Sequence, residues 1–172
     1  MTTRLVAPGD APELAALLVA NRDFLTPWEP FRSEEYFTAE GQRAYLEDML
    51  RQHDAGSHVP HVIVEDDRIV GRITLSGIVR GPFQSASLGY WVAKAANGRG
   101  VASAAVAGIT RLAFRELGLH RVQAETLVHN VASQKVLERN RFRRYGLAPR
   151  YLKINGDWRD HIMFQLLSDD PE

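Results

Sequence analysis

The chain has 172 residues, enough for one domain with a sizeable core. Its 21 basic and 21 acidic side chains balance, which excludes a global field drawing it to nucleic acid or to an anionic membrane. It has no cysteine, which excludes a disulfide framework, thiolate metal sites and a cysteine nucleophile.

The first residues, Met-Thr-Thr-Arg-Leu, carry no charged-then-apolar leader, and no apolar run approaches the roughly 20 residues that span a bilayer. A cytoplasmic protein is expected. Residues 4–7 are a strand candidate, and Pro8-Gly9-Asp10 is a turn. Asp10 is expected to cap a helix over 11–20. Residues 21–32 read as irregular and carry Phe24, Leu25, Pro27, Trp28, Pro30 and Phe31. So many large apolar groups in a proline-broken loop need cover. They either fold onto the core or form a wall of a substrate cleft. Thr38 is expected to cap a second helix running to about Ala55, with Tyr45, Leu46, Met49 and Leu50 inward and Gly56 ending it.

Residues 59–65 and 69–78 read as strands around Asp66-Asp67. Gly81-Pro82 turns the chain into the next strand, where Leu88, Tyr90 and Val92 alternate with Ser87, Gly89 and Trp91. Gly98 and Gly100 break the alternation. From Val101 the period becomes helical, with Val101, Ala102, Ala105, Val106, Ile109, Leu112, Ala113 and Leu117 on one face. The first amides of a helix have no partner within it and carry partial positive charge. Residues 97–103 are therefore a candidate anion cradle, to which Arg99 would add a charge. The plain alternative is a strand-to-helix connection that binds nothing.

Residues 121–128 read as a strand, 131–139 as a helix and 142–147 as a strand. Residues 151–154 and 158–167 form a hairpin about Asn155-Gly156, a type I′ turn signal. The tail over 169–172 is expected to fray. The order of elements implies an α+β domain over 1–172: a mixed, mostly antiparallel central sheet between helical layers, with one strand-helix-strand unit at its centre. No metal site is expected. The six histidines lack a helical i, i+4 pair, and His58 and His61 have no evident third ligand. No Gly-x-Ser-x-Gly elbow exists, and the glycine turn is too central for a dinucleotide fold.

These residues resemble a known family. The run Asn97-Gly98-Arg99-Gly100-Val101-Ala102 is similar to the Gln/Arg-x-x-Gly-x-Gly/Ala turn of the GCN5-related N-acetyltransferases (GNAT), with Asn at the first position. Four segments resemble the ribosomal-protein N-terminal acetyltransferases, the RimJ/RimL group. They are Leu25-Thr-Pro-Trp28, Leu88-Gly-Tyr-Trp91, Asn130-Val-Ala-Ser133 and Ile154-Asn-Gly-Asp-Trp-Arg-Asp-His161. The final hairpin is most similar to that of the ribosomal S5 alanine acetyltransferases.

The resemblance implies a GNAT fold and acetyl-coenzyme A as cosubstrate. Its pyrophosphate would sit on the amides of Gly98, Arg99, Gly100, Val101, Ala102 and Ser103, beside Asn97. Its pantetheine would lie along Tyr90, Trp91 and Val92, held from across a gap by Asn130. For this the strand must splay from residues 121–128. Amides near Trp91 and Val92 would stabilise the oxyanion. Many relatives place a tyrosine near the sulfur, where this chain has Leu137; the resemblance assigns that role to Ser133, whose plain alternative is a helix cap. Ser87 stands where relatives often carry glutamate, and Pro149-Arg150-Tyr151 where some carry another carboxylate. Glu125 is the remaining base candidate, with a salt-bridge or solvated role as its alternative; Asp160, His161 or a water chain are others. Arg141 replaces a usual glycine, and Asn140 is expected to take the left-handed cap in its place.

Trp28, Phe31, Ser87 and Tyr151 would contact the acceptor. Three functions remain open: an N-terminal acetyltransferase acting on a protein such as a ribosomal one, an acetyltransferase for a small amine, and a non-catalytic coenzyme A-binding protein. Neither direct nucleic-acid nor membrane binding is expected, and the chain is read as a monomer or homodimer. A site short of a strong base favours an α-amine, with a pKa of about 7.7 to 8.0, over a lysine at about 10.4.

Overall fold

The computed structural model describes residues 1–170. Its strands are β1 (Thr2–Leu5), β2 (Val59–Glu65), β3 (Arg68–Val79), β4 (Ser85–Val92), β5 (Arg121–Leu127), β6 (Arg143–Ile154) and β7 (Asp157–Leu167). Its helices are α1 (Ala11–Ala20), α2 (Arg22–Leu25), α3 (Ala39–Asp54), α4 (Val101–Arg115) and α5 (Val131–Arg139). The seven strands form one sheet in the order β1-β2-β3-β4-β5-β7-β6. Every pairing is antiparallel except β4 with β5, which α4 connects. This is the expected mixed sheet with one strand-helix-strand unit.

Alternation along β3 and β4 sorts side chains to two faces. Ile73, Leu75, Ala86, Leu88 and Val92 meet Val101, Ala105, Val106 and Ile109 of α4 and Leu137 of α5 in the main core. On the other face Leu14 of α1 and Leu46 of α3 close over Val62 and Ile69. Each fully buried aliphatic or aromatic side chain of this kind contributes about 1.5–3 kcal/mol. Trp91 packs on this second face, where it reaches Leu18, Leu25 and Tyr36.

Local signals set the ends of several elements. Thr38 Oγ1 accepts the Gly41 amide at 3.0 Å and so caps α3. Asp66 and Asp67 both have positive φ, 49° and 58°, as do Asn155 and Gly156, 48° and 91°, so both hairpins turn as type I′.

Other expectations need correction. The first strand lies at Thr2–Leu5, two residues earlier than expected. Asp10 does not cap α1; its carboxylate pairs with Arg4 at 2.7 Å and accepts the Ala7 amide at 2.8 Å. The bidentate Arg4 guanidinium, together with the Ala7 amide, occupies both carboxylate oxygens and holds them away from the α1 amides. Residues 21–32 are not wholly irregular: α2 and a 3₁₀ turn over Thr26–Trp28 lie there. Asn21 holds this stretch to the end of β4, accepting the Lys94 amide at 2.8 Å and donating to the Leu17 carbonyl. The two strands expected at 142–147 and 151–154 are one strand, β6, with register breaks after Arg144 and Ala148. Helix α4 stops at Arg115, short of Leu117.

Arg141, not Asn140, takes the left-handed position after α5, at φ 65°. Phe142 donates to the Leu137 carbonyl and Arg141 to the Glu138 carbonyl, the paired bonds of a Schellman end. Asn140 is engaged through its side chain, which donates to Ser103 Oγ and the Val136 carbonyl. In the tail, Asp170 is tied down by the Leu167 amide and Arg143; Pro171 and Glu172 lie outside the described residues.

Gly71 on β3 lies opposite Val92 of β4. A Cβ there would stand 2.3 Å from the Trp91 carbonyl oxygen and 3.0 Å from Val92 Cα. Both are backbone atoms, so β4 itself must move. Gly71→Ala is expected to cost about 3 kcal/mol in urea unfolding, at the upper end of overpacking penalties. A loss under about 0.5 kcal/mol would show that the two strands separate freely here.

Candidate active site

Strands β4 and β5 pair only at Ser85–Arg121, Ala86–Val122 and Ser87–Gln123. Beyond that, β4 continues to pair with β3 as far as Val92, and β5 with β7 as far as Leu127. The sheet therefore opens into a V at the carboxyl ends of its one parallel pair, where ligands lodge in open α/β sheets. The Ala93 amide donates to Val70 of β3. Antiparallel alternation then turns the amides of Tyr90 and Val92 toward the gap and that of Trp91 toward β3, while the Leu88 amide, on the same edge, is taken up by the last bridge of the parallel seam at Ser87–Gln123.

A cleft of about 340 Å³ fills the V on the α4 side, lined by Trp28, Tyr90, Trp91, Val92, Asn97, Gly98, Ala102, Asn130 and Ser133. It runs into a second depression of about 180 Å³ over the α4 N-terminus, bounded by Gly98, Gly100, Val101, Ser103, Lys135 and Arg139. Gly98 and Gly100 have φ 76° and 82°, conformations that favour glycine. Among the described residues, nothing accepts the amides of residues 98–103; the first helical bond runs from Ala104 to the Gly100 carbonyl. Arg99 does not face this cradle alone, because its guanidinium pairs with Glu65. The cations lining it are Lys135 and Arg139 on α5, which sequence reasoning missed. Their signal was a basic i, i+4 pair on α5, legible only once α5 is known to flank the cradle.

Across the gap, Asn130 Oδ1 accepts the Ser133 amide at 3.1 Å and caps α5. That leaves the Ser133 hydroxyl free to meet the Tyr90 hydroxyl at 2.8 Å. Ser133 is thus the capped residue and not the cap. Burial pushes the Tyr90 phenol up to about 12. The Tyr90 hydroxyl is a group that sequence reasoning assigned only through its backbone; strand parity pointed it at α5 but named no partner. Leu137 is fully buried in the core.

On the opposite face, Ser87, Gly89 and Trp91 share the side of Arg72, Thr74 and Ser76. Gln123 and Glu125 of β5 follow the same parity. A depression of about 290 Å³ lies there, walled by Glu29, Arg32, His58, Arg72, Gly89, Tyr90 and Trp91. Glu125 makes no ion pair or hydrogen bond among the described residues, and burial raises its carboxyl pKa. It is close enough to Tyr151 to push that phenol up as well, after the larger effect of Tyr151's own burial. Tyr151 meets the His161 ring in a tilted contact, centroids 5.5 Å apart, and His161 Nδ1 is bound to the Arg159 carbonyl. Asp160 is committed to the Arg150 amide. Trp28 meets the His129 ring in a tilted contact, centroids 5.5 Å apart, at the larger cleft. Phe31 is 80% exposed and borders a separate pocket beside Asn155. The structure thus brings Tyr90, Trp91, Val92, Asn97, Gly98, Ala102, Asn130, Ser133 and Trp28 to one cleft and leaves Phe31 outside it.

Residues 1–143 match the family model described as "Acetyltransferase (GNAT) domain". The chain belongs to the GNAT acetyltransferase family. It is 35% identical to the Escherichia coli [Ribosomal protein uS5]-alanine N-acetyltransferase over 99% of this chain and 89% of that one. It superposes on the ribosomal-protein-S5-alanine acetyltransferase of Vibrio fischeri with a TM-score of 0.92, 35% identity and 99% and 94% coverage. Mycobacterium smegmatis RimJ in complex with CoA-disulfide gives a TM-score of 0.93, 32% identity and 96% and 80% coverage. This GNAT chain is an N-acetyltransferase with the fold of the RimJ/RimL enzymes. Among its described residues no His, Asp or Glu cluster can hold a metal ion, and no helix is long and apolar enough to cross a membrane.

Tyr90 makes the site sensitive to high pH. Its folded-state pKa of about 12 exceeds the free value of 10.0. Between those values the unfolded chain loses the proton first, so stability is intact below pH 10 and falls as pH rises toward 12. In a difference absorbance titration of wild type against Tyr90→Phe, no phenolate from Tyr90 is expected near pH 10. A Tyr90 phenolate that forms there with ordinary affinity would mean the hydroxyl is solvated.

Proposed function

We propose that this enzyme transfers acetyl from acetyl-coenzyme A to the N-terminal α-amine of a protein, Ala or Ser at that terminus, as a single domain over residues 1–172. A ribosomal protein is the favoured acceptor. The observation carrying this reading is that the α4-side cleft and the opposite depression meet at Tyr90 and Trp91. A donor in one and an amine in the other would face each other through the open V. The relatives named for ribosomal-protein alanine support the protein acceptor, and the smegmatis enzyme, bound to a coenzyme A disulfide, supports the cosubstrate.

The residues present fit that cosubstrate. The unpaired amides of residues 98–103, with Lys135 and Arg139, suit a pyrophosphate. The unpaired edge at Tyr90 and Val92 suits a pantetheine amide, and Asn130 lines the opposite bank. Acetyl-coenzyme A supplies the thioester that the amine attacks and the thiol that leaves. The Val92 amide, turned into the gap, is the proposed oxyanion donor. Ser133, backed by Tyr90, donates to the departing sulfur as the carbon–sulfur bond breaks and the carbon–nitrogen bond forms. Glu125, desolvated and without a cation, takes the proton lost by the amine, directly or through water.

The α-amine suits such a site. Near pH 7.5 a sizeable share of it is already neutral, whereas a lysine is about one part in a thousand neutral, a handicap of about 4 kcal/mol. Peptides with free N-terminal Ala or Ser are expected to be acetylated. The same peptide with that amine blocked and an internal lysine left free should not turn over. Equal rates on both would transfer the activity to lysine or small amines.

The Ser133 role has its own readout. Ser133→Ala should lower kcat by about 10- to 100-fold while leaving calorimetric affinity for acetyl-coenzyme A nearly unchanged. An unchanged kcat, with chemistry rate-limiting, would reduce Ser133 to a structural hydroxyl.

A further inference from the structure

The depression on the acceptor face holds more buried donors than its own residues satisfy. Arg72 is only 6% exposed, in the middle of β3. Its Nη2 donates to the Tyr36 hydroxyl at 2.8 Å, and its guanidinium lies 4.4 Å over the Tyr45 ring. Its Nη1 is buried with no hydrogen-bond partner. The indole N–H of Trp91, directly opposite on β4, is buried and unpartnered too, as is Arg32 Nε. All three residues line the same depression. Leaving one such donor unsatisfied costs about 1–3 kcal/mol, and more for a charged group. Glu29, the carboxylate in the wall, forms no ion pair with either arginine among the described residues, although both act on it through space. A buried cation with a spare N–H asks for an oxygen acceptor from outside the chain.

The depression borders Gly89, Tyr90 and Trp91, so its occupant lies beside the opening through which the amine must reach. In an N-terminal residue the carbonyl carbon is two bonds from the amine nitrogen. In a lysine side chain the corresponding carbonyl is six bonds from the ε-amine. We propose that this depression is a recognition subsite for the carbonyl oxygen next to the acceptor amine, with Arg72 Nη1 as its donor. The inference rests on the N-terminal reading and deepens it, because it names the group that distinguishes an α-amine from other amines. The same donor chemistry would also accept the carboxylate of a free amino acid, and the two sources are separable by experiment.

The probes are an alanine-terminated peptide, the same peptide with its first amide replaced by an (E)-alkene isostere, and free L-alanine. The isostere keeps the shape and the amine but lacks the carbonyl oxygen. Wild type is expected to favour the peptide over the isostere by about 10- to 100-fold in kcat/KM, the range for a hydrogen bond to a charged group. Arg72→Met should bring that preference within about threefold while calorimetric affinity for acetyl-coenzyme A holds. Comparing the ratio between enzymes cancels the isostere's different amine pKa and any general loss of activity. If Arg72→Met fails to fold, Arg72→Lys keeps a cation beside Tyr45 but not the second donor arm, and should lose most of the preference. No preference in wild type, or a preference that survives in a folded Arg72 variant, overturns the subsite and leaves the N-terminal reading standing. Free alanine turned over faster than the peptide, with the same Arg72 dependence, supports the subsite and overturns the protein acceptor.

Discussion

Three residue pairs hold the two halves of the sheet together. Strands β1 to β4 form one antiparallel half, and β5, β7 and β6 form the other. Their seam is the short parallel contact from Ser85–Arg121 to Ser87–Gln123. A longer seam would satisfy more backbone groups but would close the V and cover the amides of Tyr90 and Val92. In water those amides bond to solvent, so leaving them open costs little until something replaces the solvent. The binding capacity of the molecule is therefore a backbone property first. Side chains such as Asn130 and Ser133 tune an opening that strand pairing has already made.

The same seam explains the division of chemistry between the two faces. Parity along β4 sends Tyr90 toward α5 and Trp91 toward α1 and α3, so one strand lines both depressions. The α4 side collects unpaired amides and the cations Lys135 and Arg139, an environment for an anion. The opposite side collects desolvated titratable groups: among the described residues, Glu125 has no cation partner, Glu29 is near two arginines but paired with neither, and Arg72 has one arm unused. Glu29 and Arg72 wall one depression, and Glu125 lies on the same face of the sheet.

Much of this was legible in the residues because it depends on short-range stereochemistry. The Asn155-Gly156 turn, the Thr38 cap and the glycines around Arg99 require particular backbone angles, and the chain adopts them. The change from alternation to helical period at Val101 marked the strand-to-helix junction correctly. Failures came where a distant group won. Asp10 is a good cap in isolation, but Arg4 reaches it from β1. Arg141 accepts a left-handed angle because Leu137 and Phe142 fix the Schellman end and Asn140 is committed to Ser103. Nothing local in the strand around Arg72 signals its role; its burial under Tyr36 and Tyr45 depends on a loop and a helix that arrive from elsewhere. Glu29 was hidden among the apolar residues of the Trp28 loop for the same reason.

Ser87 stands where the resemblance implies a glutamate, and the proposed base, Glu125, has a definite place relative to it. Ser87 is paired in register with Gln123, and Glu125 lies two residues further along β5 on the same face. Two residues of strand span about 6–7 Å, measured toward the mouth of the V. A carboxylate at 125 is therefore displaced sideways by one strand and outward along it, toward the part of the gap where β4 and β5 no longer pair. Like a side chain at position 87, it stays on the face of the proposed acceptor subsite. Its surroundings differ from those of a paired surface carboxylate, since burial raises its affinity for a proton and no cation offsets this. For a proton acceptor that direction is useful, because a base poised nearer neutral pH takes a proton from an ammonium more readily than an ordinary carboxylate does. The constraint that opened the sheet also leaves room on the far bank for the carboxylate proposed as the base.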